Sequence, residues 1–319
     1  MKAIVRDRYG SPDVLRLDEV DKPEVTDETV LVRVRATSVN AYDWHMLRGK
    51  PYLARLDEGL RRPKSTVLGI DVAGVVEAAG RNVTHLKPGD EVFGSRSGAF
   101  AEYVSGRTMV PMPAGLTFEQ AAAIPTAGQT ALQGLRDKGA VQPGQRVLIN
   151  GAGGGVGTFA VQIAKAFGAD VTGVTSTRNL DMVRSIGADQ VIDYTQEDFT
   201  RSGQHYDLIL DAGGNRSLST LRRALTPEGT LVLVAPGPGQ WVGPIARMLG
   251  AVVTSRFGSQ KVRPFVASPN RDDLLVLKEL IEDGKVTPVI DRTYPFNEIP
   301  EAIRYLEAGH VQGKVVITV

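Results

Sequence analysis

The first third of the chain alternates in twos. In Thr29-Val-Leu-Val-Arg-Val-Arg-Ala36 the apolar positions Val30, Val32, Val34 and Ala36 are interleaved with Arg33 and Arg35. That is the pattern of a strand with one face on a core and one in water. It predicts a strand over Thr29–Val39, and comparable runs predict strands over Lys2–Asp7, Val14–Val20, Val72–Ala79, Glu91–Gly94 and Phe100–Ser105. Lys87-Pro-Gly-Asp90 is a turn between two of them. Asn40–Leu47 has room for one or two helical turns.

From about residue 117 the period lengthens. Gln145–Asn150 reads as a buried strand, after which Val156, Phe159, Ala160, Ile163, Ala164 and Phe167 recur at helical spacing along one apolar face. Asp170–Thr175, Gln190–Asp193, Tyr206–Asp211 and Thr230–Ala235 continue as strands, with a helix over Asn179–Ile186. Such alternation predicts a parallel, doubly wound sheet of the Rossmann kind. Asp272–Asp283 and Glu298–Ala308 are amphipathic helices, and Lys314–Val319 is a closing strand expected to pack back on the first domain. The chain is therefore read as α/β, with residues 1–122 and 262–319 forming a discontinuous β-rich domain and 123–261 the doubly wound one. Gly237–Pro269, including the apolar stretch Ile245–Val253, fits no single element.

Composition narrows the chemistry. The chain has no cysteine, which removes disulfides and thiolate metal sites. A net charge of +1 gives no general attraction to nucleic acid or acidic membranes. Arg6, Asp7 and Arg8 interrupt any secretory apolar run, and no stretch approaches the roughly 20 apolar residues of a bilayer span. A soluble, cytoplasmic protein is expected.

The glycine cluster Gly151-Ala-Gly-Gly-Gly-Val-Gly157 joins a strand to an amphipathic helix. A dinucleotide's pyrophosphate needs backbone N–H groups at a helix start with no Cβ in the way. Gly153, Gly154, Gly155, Val156 and Gly157 are the candidates, Gly154 for phosphate approach and Gly157 for close helix–strand packing. An NAD site ordinarily ends its second strand with a carboxylate. Here the strand runs on into Ser176-Thr-Arg178, hydroxyls and a guanidinium suited to a 2′-phosphate, so NADP(H) is the expected cofactor. The same segment also reads as a helix cap, with Thr177 or Asn179 starting the next helix.

Taken in order, the motifs resemble the medium-chain dehydrogenase/reductase superfamily, in its zinc-independent quinone oxidoreductase and zeta-crystallin-like branch. They are Ala36-Thr-Ser-Val-Asn40, Leu68-Gly-Ile-Asp-Val-Ala-Gly-Val-Val76, Lys87-Pro-Gly-Asp-Glu-Val-Phe93, Gly98-Ala-Phe-Ala-Glu-Tyr103, Ala123-Ile-Pro-Thr-Ala-Gly-Gln-Thr-Ala131, Gln142-Pro-Gly-Gln-Arg-Val-Leu-Ile149, the glycine loop, Gly187-Ala-Asp189, Tyr206-Asp-Leu-Ile-Leu-Asp211 and Gly313-Lys-Val-Val316. The resemblance implies a GroES-like catalytic domain, a Rossmann domain and a cleft between them. Zinc-bearing relatives hold their metal with a cysteine and a Gly-His-Glu histidine; this chain has Asn40 and Gly69-Ile-Asp71 in those places. The resemblance therefore implies hydride transfer to acceptors that are already electrophilic, quinones or enones and enals, without a metal. His45 and Asp43 lie close in sequence, yet two ligands make no zinc site.

By the same resemblance Asn40, Trp44 and Thr130 line the nicotinamide end. Asn40 would donate to the substrate or a ribose, or simply cap the helix that follows. Tyr42 or Tyr52 is a candidate proton donor, with water and plain packing as the alternatives. Thr126, Thr130, Ser176, Thr177, Arg178, Tyr194, Asp211, Ala212 and Lys314 join the glycines as expected cofactor contacts, Lys314 reaching the nicotinamide ribose or phosphates or else lying in solvent. The insert Tyr52–Lys64, with Arg55, Arg61 and Arg62, would sit near the substrate entrance. Competing readings are an aldehyde or ketone reductase or alcohol dehydrogenase, and a non-catalytic NADPH-binding protein. Relatives pair sheet edges as homodimers, which makes Ala251–Thr254 a candidate edge.

Overall fold

The computed structural model describes residues 1–50, 52, 55–234 and 259–319. Its strands are β1 (Lys2–Val5), β2 (Arg16–Glu19), β3 (Val30–Val39), β4 (Asp71–Ala79), β5 (Glu91–Ser95), β6 (Tyr103–Gly106), β7 (Met109–Pro111), β8 (Arg146–Asn150), β9 (Asp170–Thr175), β10 (Gln190–Asp193), β11 (Tyr206–Asp211), β12 (Leu225–Leu233), β13 (Lys261–Pro264), β14 (Ile290–Pro295) and β15 (Lys314–Thr318). The chain divides into two compact units, one of Met1–Ala127, Pro269–Glu282 and Pro288–Val319, the other of Gly128–Ser268 and Asp283–Thr287. The divisions thus fall after Ala127 and Ser268, and residues 283–287 go with the second unit.

In the first unit a seven-stranded sheet runs β14-β15-β3-β4-β5-β7, with β6 also on β3. Strand β3 is its spine, because its alternation gives it a buried face along nearly its whole length. The last strand, β15, pairs antiparallel with β3, Val315 opposite Val39 and Val316 opposite Ser38. Val39, Leu47, Phe100, Ile299, Ile303, Val315 and Ile317 make one core, and Val32, Val34, Val72, Val92 and Met109 contribute to another. Expected strand ends shift where local chemistry intervenes. Pro12–Val14 is a 3-10 turn, so β2 starts at Arg16 rather than Val14, and Phe100 precedes β6 instead of opening it.

The second unit carries a six-stranded sheet in the order β10-β9-β8-β11-β12-β13, parallel throughout. Counting from β8, that is the doubly wound order 3-2-1-4-5-6, whose direction of winding reverses between β8 and β11. Strand β12 begins at Leu225, earlier than the apolar run at Thr230 suggests, and Leu218–Arg223 is a helix the pattern does not announce. Most of Gly237–Pro269, and the whole of Ala251–Thr254, lie outside the described residues.

Candidate functional site

Two groups of side chains are assembled by these sheets, one in each unit. The first is a buried polar cluster that follows from strand register. One step beyond the pair Val315–Val39, the antiparallel register sets Lys314 beside Asn40. On the other side of β3, Ala36 faces Ala73, which brings Asp71 level with Ser38. The side chains then connect. Lys314 Nζ donates to Asn40 Oδ1 at 2.5 Å and to Asp71 Oδ2 at 3.3 Å. Asn40 Nδ2 donates to Asp71 Oδ2 at 2.9 Å, and Ser38 Oγ to the same oxygen at 2.5 Å. Thr126 gives both its backbone N–H and its hydroxyl to Asp71 Oδ1, at 2.9 and 2.6 Å. Asp71 is fully buried and Lys314 only 3% exposed. A buried carboxylate is tolerated when its charge is matched and its lone pairs are filled, and Asp71 meets both conditions.

Asp43 anchors the neighbouring helix, Ala41–Arg48. Its Oδ2 accepts the backbone N–H of Asn40 at 2.7 Å, the return half of a capping box, and its Oδ1 accepts from Gly69 N at 3.1 Å. Burial pushes its carboxyl up to about 7, with the charge of Asp71 adding to the rise and Lys314 and the two N–H groups opposing it. In the sequence Asp43 enters only as a rejected zinc ligand beside His45, and Asp71 only as part of Gly69-Ile-Asp71; neither is given a role. Their signal is a carboxylate inside an otherwise apolar or small-residue run, and it becomes legible only once a partner is known.

The second group surrounds the glycine turn at the end of β8, beside the point where the sheet reverses direction. Gly151 adopts φ +88°, open to glycine but strained for other residues. A Cβ on Gly157 would stand 2.0 Å from Gly151 O, so only glycine lets the helix Gly155–Ala166 start this close to the strand. A Cβ on Gly154 would meet nothing nearer than Gly151 O at 3.5 Å. The backbone there faces open space at a helix start, which fits a pyrophosphate. Gly153 is different. Its Cβ would collide with Asn179 Nδ2 and Thr175 Oγ1, so this glycine is required by packing. Asn179 itself is buried, and its Oδ1 is the buried side-chain atom left without a hydrogen-bond partner among the described residues. An unfilled acceptor beside the turn suits a ribose hydroxyl, a role sequence reading did not give Asn179 beyond capping.

The remaining expected contacts divide. Ser176 precedes a short 3-10 turn over Thr177–Asn179 that contains Arg178. Thr177 Oγ1 donates to Asp193 Oδ2 at 2.5 Å. That bond, with those from Thr195, holds the Asp193 carboxyl below its usual range. Tyr194 follows β10 and is 44% exposed. Asp211 Oδ1 accepts from Asn150 Nδ2 at 2.6 Å and from Gly214 N at 3.1 Å, so its carboxylate orders the loop that begins at Ala212. Thr130 is buried in the helix Pro125–Gln133, in the part from Gly128 onward that belongs to the second unit.

In the first unit, Trp44 packs against the apolar core and stacks on His45 with ring centroids 3.7 Å apart. His45 Nδ1 bonds Lys50 O at 2.9 Å, and burial lowers its pKa. Burial likewise raises the Tyr42 phenol, which makes it a poorer acid than an ordinary tyrosine. The Arg55 guanidinium carbon lies 4.8 Å from the centre of the Tyr52 ring, and the buried Arg6 pairs with the partly buried Glu58 at 2.8 Å.

Comparisons with known proteins agree with this arrangement. A family model described as alcohol dehydrogenase GroES-like domain matches residues 26–114, and one described as zinc-binding dehydrogenase matches residues 186–317. The chain is 36% identical to the 2-methylene-furan-3-one reductase of Solanum lycopersicum, over 99% of this chain and 79% of that protein. It is 35% identical to the chloroplastic NADPH-dependent alkenal/one oxidoreductase of Arabidopsis thaliana, with the same coverage. The solved quinone oxidoreductase from Coxiella burnetii superposes with a TM-score of 0.88 at 31% identity, covering 100% of this chain and 99% of that one. The chain belongs to the medium-chain dehydrogenase/reductase superfamily, in its zinc-independent quinone oxidoreductase branch, and is an oxidoreductase. The zinc in one model's description does not fit these residues. Thiolate and imidazole are absent from both ligand positions, and an ammonium already takes the oxygens of Asn40 and Asp71.

Proposed function

We propose that this protein is an NADPH-dependent reductase of electrophilic acceptors: enones, enals and quinones. The observation that carries the reading is the glycine turn, whose open backbone at Gly154 sits at a helix start where the parallel sheet reverses its winding. Gly154, Gly155, Val156 and Gly157 hold the pyrophosphate, Ser176 and Arg178 the 2′-phosphate, Tyr194 the adenosine side and Asn179 a ribose hydroxyl. Thr130 borders the nicotinamide by family position. When bound, NADPH supplies the hydride. The relatives named for alkenals, alkenones and a furanone support the acceptor class.

The test is NADPH oxidation followed at 340 nm with an enone and with 9,10-phenanthrenequinone, in buffer containing a chelator. Turnover with NADPH, weaker turnover with NADH and indifference to chelator are expected. Tight NADPH binding without turnover on any acceptor would replace the reading with a non-catalytic one.

No helix among the described residues is long and apolar enough to cross a membrane. Work in the cytoplasm as a homodimer completes the proposal. Both parts rest on the sequence; cell fractionation and sedimentation of the purified protein test them.

A further inference from the structure

We propose that Lys314 is the group that hydrogen-bonds to, and then protonates, the oxygen on which charge develops during the reduction. The inference rests on the reductase reading above and assigns the electrophile within it. It follows from hydrogen-bond accounting in the buried cluster.

Asn40, the obvious donor by family position, has nothing left to give. Its oxygen accepts from Lys314, and its two amide protons go to Asp71 Oδ2 at 2.9 Å and, longer, to Ser38 O at 3.5 Å. The hydroxyls of Ser38, Thr37 and Thr126 carry one proton each, and each is spent on Asp71, at its Oδ2, its backbone oxygen and its Oδ1 respectively. Lys314 alone among these side chains has three N–H donors, of which Asn40 Oδ1 and Asp71 Oδ2 take two. The third is the donor this cluster can offer.

It is well prepared for that use. The ammonium is nearly buried, so a hydrogen bond from it is electrostatically stronger than one in water. Asp71 and Asn40 fix Nζ from two sides before any substrate arrives, and preorganisation of this kind is where oxyanion stabilisation gains its size. Asp71 and Asn40 are positioning residues in this scheme, and Lys314 touches the substrate.

For an enone the step balances as follows. The β-carbon gains a hydride as NADPH is oxidised to NADP⁺, the π pair of the carbon–carbon double bond shifts toward the carbonyl, and the carbonyl oxygen takes a proton from Lys314. The enol then tautomerises to the saturated ketone, and water returns the proton to Lys314.

The experiment compares wild type, Lys314→Met, Lys314→Arg and the double variant Lys314→Met/Asp71→Asn, the last keeping the buried site neutral so that it folds. Each is assayed with 2-cyclohexen-1-one and with 9,10-phenanthrenequinone, NADPH dissociation constants are taken by fluorescence titration, and thermal midpoints check folding. In both Lys314→Met proteins kcat on the enone falls about 100-fold. The quinone, already electron-poor, loses about tenfold or less, NADPH affinity stays within about twofold, and Lys314→Arg recovers part of the enone rate. Equal losses on the two acceptors, or wild-type enone turnover in the double variant, would overturn the assignment. A rise in the NADPH dissociation constant matching the loss in kcat/KM would overturn it in favour of a cofactor-holding lysine. A wild-type protein that reduces neither acceptor would instead defeat the reductase reading itself.

Discussion

The glycine turn of the second unit and the polar cluster of the first solve opposite problems. The turn presents bare backbone, removes side chains and carries no formal charge; its residues lie within Gly151–Gly157. The cluster buries a carboxylate and an ammonium and satisfies them with side chains from residues 38, 40, 71, 126 and 314. One is steric and local, the other electrostatic and assembled from three strands and a helix start. The contrast predicts different responses to mutation. The turn should fail where space is filled, and the cluster where one partner is removed alone.

The largest combined effect, on stability and on NADPH binding together, belongs to Gly157→Val, since a Cβ there meets Gly151 O at 2.0 Å. It should cost about 3 kcal/mol or more in urea unfolding and abolish NADPH binding. Gly154→Ala sharpens the point: with open space at that position, stability should fall by about 1 kcal/mol or less while NADPH affinity drops about tenfold.

In the cluster, Lys314→Met or Asp71→Asn alone strands a buried charged partner and should cost about 3–5 kcal/mol. The pair changed together should cost clearly less than the sum, and a double-mutant cycle by chemical denaturation measures that coupling. Additive losses would mean that the two side chains do not interact in solution as they do in the structure.

Next comes pH. The folded-state carboxyl of Asp43 is raised from 3.8 to about 7, so between those values the unfolded chain releases the proton while the folded chain keeps it. This group therefore lowers stability as pH rises through that window, by about 1.4 kcal/mol per unit, and adds no further slope above it. Urea midpoints at pH 5, 6, 7 and 8 should show this contribution, and Asp43→Asn should remove it. The smallest effect is at the adenosine end: Arg178→Ala should weaken NADPH about tenfold and NADH little, read from the two dissociation constants.

The two regions also differ in how far the sequence disclosed them. Glycines at the junction of an apolar strand and an amphipathic helix announced the turn, because such a constraint involves neighbours in the chain. Even so, Gly153 proved to be a packing position against Asn179 and Thr175, which distant sequence cannot show. Thr177 and Asp211 are ligand candidates by position, and the structure adds what sequence could not: Thr177 Oγ1 donates to Asp193, and Asp211 Oδ1 accepts from Asn150 and Gly214. Lys314 reads in the sequence as a contact to the nicotinamide ribose or phosphates, or else as a solvent lysine, and the register of β15 on β3 put it against Asn40 and Asp71.

By itself the sequence determined the periodicities, and through them the β-rich and doubly wound character of the two units. It also determined the lack of thiolates and the position of the glycine turn. All of these are properties of residues near one another or of the chain as a whole. Only the tertiary structure decided which polar atoms remain available, because that depends on what each donor and acceptor meets across strands far apart in the chain. Hydrogen bonds are spent pairwise in space, and a sequence records the groups without recording the pairs.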